Sequence, residues 1–194
     1  MNHNLNVYKL YPRGSDPRRK TTTRTIRIAQ RYDEVLKEES ERRGLSFNAL
    51  MDRILQRYVE AQRFFEGQMA VTLLDQTFQE ILDGIDETHI RELALDAGST
   101  RPQDRLRIRG IPLDHDSLVW FIKQVLGEYN GWFRCDIHKR KGREMLHLRH
   151  KFGSMWSAFI ENYVASMFRE ILDYEPKVES LDNAVTIYIN ERTA

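Results

Sequence analysis

TRTIRIAQRYDEVLKEESERRGLSFNALMDRILQRYVE, residues Thr23 to Glu60, is a short run of period two followed by two runs of helical period. In the first run Ile26 and Ile28 share one face because side chains of a strand alternate, which leaves Thr23, Thr25 and Arg27 on the other. A lone strand of this length has unpaired edges and no core of its own. A second copy supplies both. Two chains pairing their strands antiparallel bury the isoleucines and present Thr23, Thr25 and Arg27 from each subunit as a ribbon that fits a DNA major groove.

The spacing predicts a first helix from near Gln30, with Tyr32, Val35, Leu36 and Ser40 inward, ending at Gly44, a residue suited to a left-handed cap. Ser46 is a good N-cap for a second helix, in which Phe47, Leu50, Met51, Ile54, Leu55 and Tyr58 form a wide apolar face. A monomer of this size cannot cover such a face, so the second helix is expected to pack on its symmetry mate.

The basic, Thr-rich strand, the Gly44-Leu45-Ser46 turn and the apolar second helix resemble, in register, the ribbon-helix-helix superfamily, the MetJ and Arc class of repressors. The resemblance covers about a fifth of the chain. It implies that Thr23, Thr25 and Arg27 read bases and that the second helix's N-terminus, at Ser46, Phe47 and Asn48, holds a phosphate through backbone N–H groups. Ala29 departs from the family pattern, which favours a capping Ser or Asp there.

Charge divides the chain more sharply than its formal net of +1 suggests. Residues 1 to 63 hold fourteen Lys or Arg against eight Asp or Glu, a net of +6, and the remainder nets −5. Lys9, Arg13, Arg18, Arg19, Lys20, Arg24, Arg27 and Arg31 face the single Asp16 in residues 1 to 31. Pro12, Gly14, Ser15 and Pro17 interrupt any regular pattern, so residues 1–20 read as a disordered basic arm for phosphate or minor-groove contact, or as a solubilising tail. No apolar leader or membrane-length run is visible, and Cys135 is the only cysteine, so a cytoplasmic protein away from membranes is expected.

The organisation that follows is α+β: the arm, a ribbon-helix-helix DNA-binding and dimerisation domain at 21–63, a hinge at Gly67, and a C-terminal domain over 67–194 with helices packed on an antiparallel sheet. In that domain Leu73, Leu74, Phe78, Ile81 and Leu82 mark one helix, and Ile90, Leu93, Ala94 and Ala97 a second that ends at Gly98. Asp86, Glu87 and Thr88 suit its start. Arg101, Arg105, Arg107 and Arg109 form a basic cluster read as a solvated loop, or as a contact for DNA or an anionic effector. Asp116 or Ser117 is expected to cap a helix through Leu118, Phe121, Ile122, Val125 and Leu126.

From Gly131 the period becomes two. A turn at Lys141 and Gly142 sets Ile137 opposite Leu146, Cys135 opposite Leu148 and Phe133 opposite His150 on the core side, with Asp136 across from His147 on the other. A helix from Ser154, its cap, to Tyr174 carries Trp156, Phe159, Ile160, Tyr163, Met167 and Ile171, and Pro176 stops it. Strands over Val178–Leu181 and Ala184–Ile189, turned at Asp182 and Asn183, complete the sheet.

Some ribbon-helix-helix regulators sense nickel through His and Cys on a C-terminal α+β domain, which directs attention to Cys135, His138, His147 and His150. Strand parity puts Cys135 and His150 on the face opposite His138 and His147, so only Asp136, His138 and His147 converge within one subunit, and no metal site is expected. Trp120, Trp132, Trp156, Phe133, Phe159 and Tyr163 read as core before they read as a small-molecule pocket. The chain has no P-loop, dinucleotide fingerprint, HExxH or nucleophile elbow, and Cys135 and His138 lie on opposite strand faces; neither an enzyme nor a cofactor is expected. The reading is a dimeric, or higher even oligomeric, sequence-specific transcriptional regulator of double-stranded DNA, a repressor by analogy with that class. Its C-terminal domain would sense a small-molecule or metal effector or extend the oligomer. The alternative is an antitoxin-like module that binds DNA and a partner protein.

Overall fold

The computed structural model describes residues 22–64, 72–140 and 143–190. They fall into two compact units, one holding residues 22–64 and the other residues 72–190. The arm with Arg18, Arg19 and Lys20, the Gly67 hinge and the Lys141–Gly142 turn lie outside the described residues.

The first unit is a helical hairpin, α1 (Gln30–Arg42) and α2 (Phe47–Glu60), followed by a 3-10 turn at Gln62–Phe64. The joint is fixed by backbone chemistry. Gly44 has φ +62°, its N–H donates to Glu41 O at 3.0 Å, and the Leu45 N–H reaches back to Ser40 O at 2.8 Å, the paired bonds of a Schellman ending. Ser46 then caps α2, its side chain accepting from the Ala49 N–H at 3.1 Å. Ala29 precedes α1 with extended angles and no side-chain cap, so only its carbonyl serves the first turn, accepting from Tyr32 and Asp33.

The second unit is mixed α and β. Its helices are α3 (Asp75–Asp83), α4 (Glu87–Ile108), α5 (His115–Trp120), a π-helical continuation over Phe121–Tyr129, and α6 (Gly153–Leu172). Its strands are β1 (Arg134–Arg140), β2 (Arg143–Arg149), β3 (Lys177–Leu181) and β4 (Ala184–Asn190), antiparallel throughout in the order β1-β2-β4-β3. Leu146, Leu148, Val185 and Ile187 form the sheet's buried face, and α6, in which Val164, Met167 and Phe168 are fully buried, packs against β3 and β4 as well as α4. Alternation at period two predicts this register: Cys135 pairs with Leu148, Asp136 with His147 and Ile137 with Leu146. Phe133 precedes β1, and His150 instead donates its N–H to Asn183 O.

The helices depart from expectation in four places. α4 does not end at Gly98; it continues ten residues further, so Arg101, Arg105, Arg107 and Arg109 lie on its last turns or cap and not in a loop. Gly98 is small for packing, not for turning: a Cβ there would collide with the Tyr163 carbonyl oxygen and meet Ser166 Cβ at 3.0 Å, because α4 crosses α6 at this point. The Ser166 hydroxyl fastens the crossing by donating to Leu95 O at 2.8 Å. Pro102 sits inside α4 without an N–H for the Gly98 carbonyl. Asp114, and not Asp116 or Ser117, caps α5, accepting from the Ser117 N–H at 2.8 Å. α6 starts at Gly153, which makes Ser154 its second residue, and stops at Leu172 before Asp173, whose φ of +48° turns the chain ahead of Pro176.

Candidate nucleic-acid interface

Thr23, Arg24, Thr25 and Arg27 are all exposed, and residues 22–29 make no strand pairing within the single chain. Their apolar neighbours are not sunk either: Ile26 is 63% exposed and Ile28 half-buried. The same holds along the helices. Tyr32 and Val35, expected inward, are 53% and 62% exposed, and on α2 Ile54, Leu55 and Tyr58 lie between 42% and 56%. Leu50 and Ser40 are buried between the two helices, while Leu36, Phe47 and Met51 are half-buried. Two helices of this length cannot enclose a full core, so Tyr32, Val35, Ile54, Leu55 and Tyr58 keep much of their apolar surface exposed.

Polar groups lie at the starts of both helices of this unit. Ser46 and Asn48 are exposed at the start of α2. Ser46 satisfies Ala49, and the Phe47 and Asn48 N–H groups, the first two of the helix, have no acceptor among the described residues. Free N–H groups aligned with a helix dipole favour a phosphate at this end. Arg31 lies over the Tyr32 ring at 4.6 Å and donates to its hydroxyl at 2.7 Å, which holds a cation beside the start of α1.

In the second unit Asp136, His138 and His147 do share the outer face of the sheet. Asp136 accepts from Arg149 at 2.6 Å, an exposed pair that holds the carboxyl below its usual range, and His147 Nδ1 lies 3.0 Å from the Thr186 hydroxyl. No three His, Cys, Asp or Glu residues among the described ones are grouped as metal ligands. Burial pushes the Cys135 thiol up to about 11, which keeps it protonated at neutral pH. His150 and Ser157 are 2.9 Å apart, yet the bond runs the wrong way for nucleophile activation. The Phe152 N–H donates to His150 Nδ1 and Ser157 donates to Leu181 O at 2.6 Å, so His150 Nε2 must donate to the serine. Burial lowers His150 to about 4, leaving it neutral in that role.

Of the aromatic residues named from the sequence, Trp132, Trp156, Phe159 and Tyr163 form one ring cluster. Trp156 stacks on Phe159 at 4.7 Å, meets Trp132 edge-on at 5.3 Å and donates its indole N–H to Trp132 O at 3.1 Å. Phe78, which the sequence marks only as an apolar helix residue, and Phe152, which it does not single out, join it at 5.0 and 6.3 Å from Trp156. Also missed is Glu144, a buried carboxylate at a core-facing position of β2, which pairs with His115 at 2.9 Å and Lys139 at 3.0 Å beside a cavity of about 350 Å³. A carboxylate in an apolar alternation gives no warning in sequence, because its partner His115 is remote in the chain. No helix among the described residues is long and apolar enough to cross a membrane. No protein-family model and no curated protein matches the chain.

Proposed function

We propose that the chain is a dimeric, sequence-specific DNA-binding regulator whose residues 23–28 pair with those of a second copy to form a ribbon in the major groove. The observation that carries this reading is the coincidence, in one small unit, of an exposed Thr- and Arg-bearing segment outside any helix with apolar side chains that its own two helices leave open. Pairing two such segments covers Ile26 and Ile28 with the exposed apolar side chains of α1 and α2, and turns Thr23, Thr25 and Arg27 outward together. Arg27 supplies the bidentate donor best suited to guanine, and the threonines contact base edges or methyl groups. The N-terminus of α2, at Ser46, Phe47 and Asn48, anchors a phosphate and fixes the ribbon's depth, while Arg24 and the basic arm with Arg18, Arg19 and Lys20 add sequence-independent affinity.

Sedimentation equilibrium of the parent chain and of Ile28→Asp tests the assembly on which this depends. The parent sediments as a dimer or higher even oligomer. The variant, which would bury a carboxylate in the paired ribbon, falls to monomer or unfolds and loses duplex binding. A monomeric parent, or a variant that assembles and binds DNA as the parent does, contradicts the reading.

A further inference from the structure

The sheet face turned away from α6 carries no buried residue, and strand pairing arranges it in cross-strand rows. Two of these rows are unfavourable by themselves. Arg140 stands directly opposite Arg143 beside the β1–β2 turn, and Arg134 directly opposite Arg149 at the other end of the hairpin. Like charges facing each other across an antiparallel pair, with Cα atoms about 5 Å apart, destabilise it. Asp136 relieves the far pair, accepting from Arg149 at 2.6 Å and lying 3.9 Å from Arg134. The pair at the turn has no such relief: neither Arg140 nor Arg143 makes an ion pair among the described residues, and both are exposed.

Between the two arginine rows the face carries aromatic and imidazole rings. His138, Met145 and Tyr188 lie in one row, and His147 lies in the next. The Tyr188 hydroxyl donates to Glu179 at 2.8 Å, and the Lys177 ammonium lies over one face of its half-buried ring, 5.4 Å from the centroid, so a base can stack only on the ring's other face or by displacing that flexible side chain. Counting the whole outer face, five Arg or Lys stand against Asp136 and Glu179, a net of +3 with the histidines neutral. A polyanion matches the unrelieved arginines, and only one whose bases are unstacked can also use the rings.

We propose that this sheet face is a binding platform for single-stranded nucleic acid, with phosphates on Arg140 and Arg143 and a base stacked at Tyr188. The platform does not depend on the N-terminal ribbon, whose ligand is a duplex. A duplex keeps its bases stacked inside and would meet the arginines alone.

Fluorescence anisotropy of the full-length chain with a labelled 12-nucleotide oligothymidylate, an oligouridylate of equal length and a random-sequence duplex, each over a series of salt concentrations, tests this. The parent binds the single strands, and comparison of the thymidylate with the uridylate shows whether the ligand is DNA or RNA. Replacing both Arg140 and Arg143 by Ala lowers the salt slope on the single strands by up to about 1.4, at about 0.7 per neutralised phosphate. Tyr188→Leu weakens single-strand binding at least about fivefold and leaves duplex binding unchanged, while Tyr188→Phe, which keeps the ring, binds as the parent does. The arginines are exposed, so the double variant reads binding even where Tyr188→Leu lowers the melting temperature. A parent that binds no single strand, variants that all bind like the parent, or a Tyr188→Leu effect equal on single strand and duplex overturns the proposal.

Discussion

Gly98→Ala tests the packing that holds the second unit together, because glycine there is required by contact and not by backbone angle. The added methyl would sit in the α4–α6 crossing, against the Tyr163 carbonyl oxygen and 3.0 Å from Ser166 Cβ. Neither neighbour is the free end of a flexible side chain, so the helices themselves must separate. Overpacking of this kind costs about 1 to 3 kcal/mol. Alanine returns at most about 1 kcal/mol through its better helix propensity. Overlap with a backbone oxygen puts the cost in the upper part of that range, so the net expectation is a loss of about 1 to 2 kcal/mol, or about 4 to 8 °C in melting temperature for a unit of this size. Gly84→Ala is the control: its Cβ would meet only the Ile81 and Glu80 carbonyl oxygens, at 3.5 and 3.9 Å, and the substitution should change stability by less than about 0.5 kcal/mol. Urea denaturation followed by tryptophan fluorescence measures both, since Trp132 and Trp156 lie in the same unit. If Gly98→Ala were as stable as the parent, or if Gly84→Ala were the more damaging of the two, the reading of the crossing would be wrong.

Ser46→Ala removes the side chain that caps α2 and should cost about 1 kcal/mol in the N-terminal unit, seen as faster amide exchange at Ala49 by NMR; unchanged exchange would remove Ser46 from the cap. His150 has a folded value near 4, below the ordinary 6.5, so the unfolded chain binds its proton first as the pH falls. Its contribution to stability is therefore complete above pH 6.5 and is lost between about 6.5 and 4, at no more than about 1.4 kcal/mol per pH unit. Denaturation across that range should show a shallower slope for His150→Gln, and parallel slopes would refute the assignment. Deleting residues 1–20 removes Lys9, Arg13, Arg18, Arg19 and Lys20 from each chain. For a dimer with all of them on phosphates, the slope of log K against log salt shrinks by up to about 9, and an unchanged slope would leave the arm as a solubilising tail.

What was legible in the sequence follows from how local each signal is. The β1–β2 register and the Asp182–Asn183 turn could be read because period two ties every residue of a hairpin to its partner. The Gly44 and Ser46 caps were equally legible, since both work through bonds within six residues. Gly98 was misread because one residue type serves both a helix end and a close helix crossing, and only the distant Tyr163 tells them apart. The run Asp114-His115-Asp116-Ser117 offers three capping side chains, and the sequence does not rank them. Arg109 was placed in a solvated loop yet is buried, its guanidinium donating to Arg105 O at 2.8 Å. Among candidate site residues, the strand assigned to Thr23, Thr25 and Arg27 depends on a partner strand that only a second chain provides. The facing arginines at the hairpin tip needed the register before they carried meaning.

The central claim is tested most directly by selecting bound sequences from a pool of random duplexes with the parent chain and with Arg27→Ala. The account predicts that the parent enriches a sequence of two half-sites related by a dyad, as a paired ribbon requires. Arg27→Ala should lose about 1 to 3 kcal/mol per subunit on that sequence, and with it the preference over random DNA. No enrichment by the parent, or the same sequence bound as tightly by Arg27→Ala at equal salt, would contradict it.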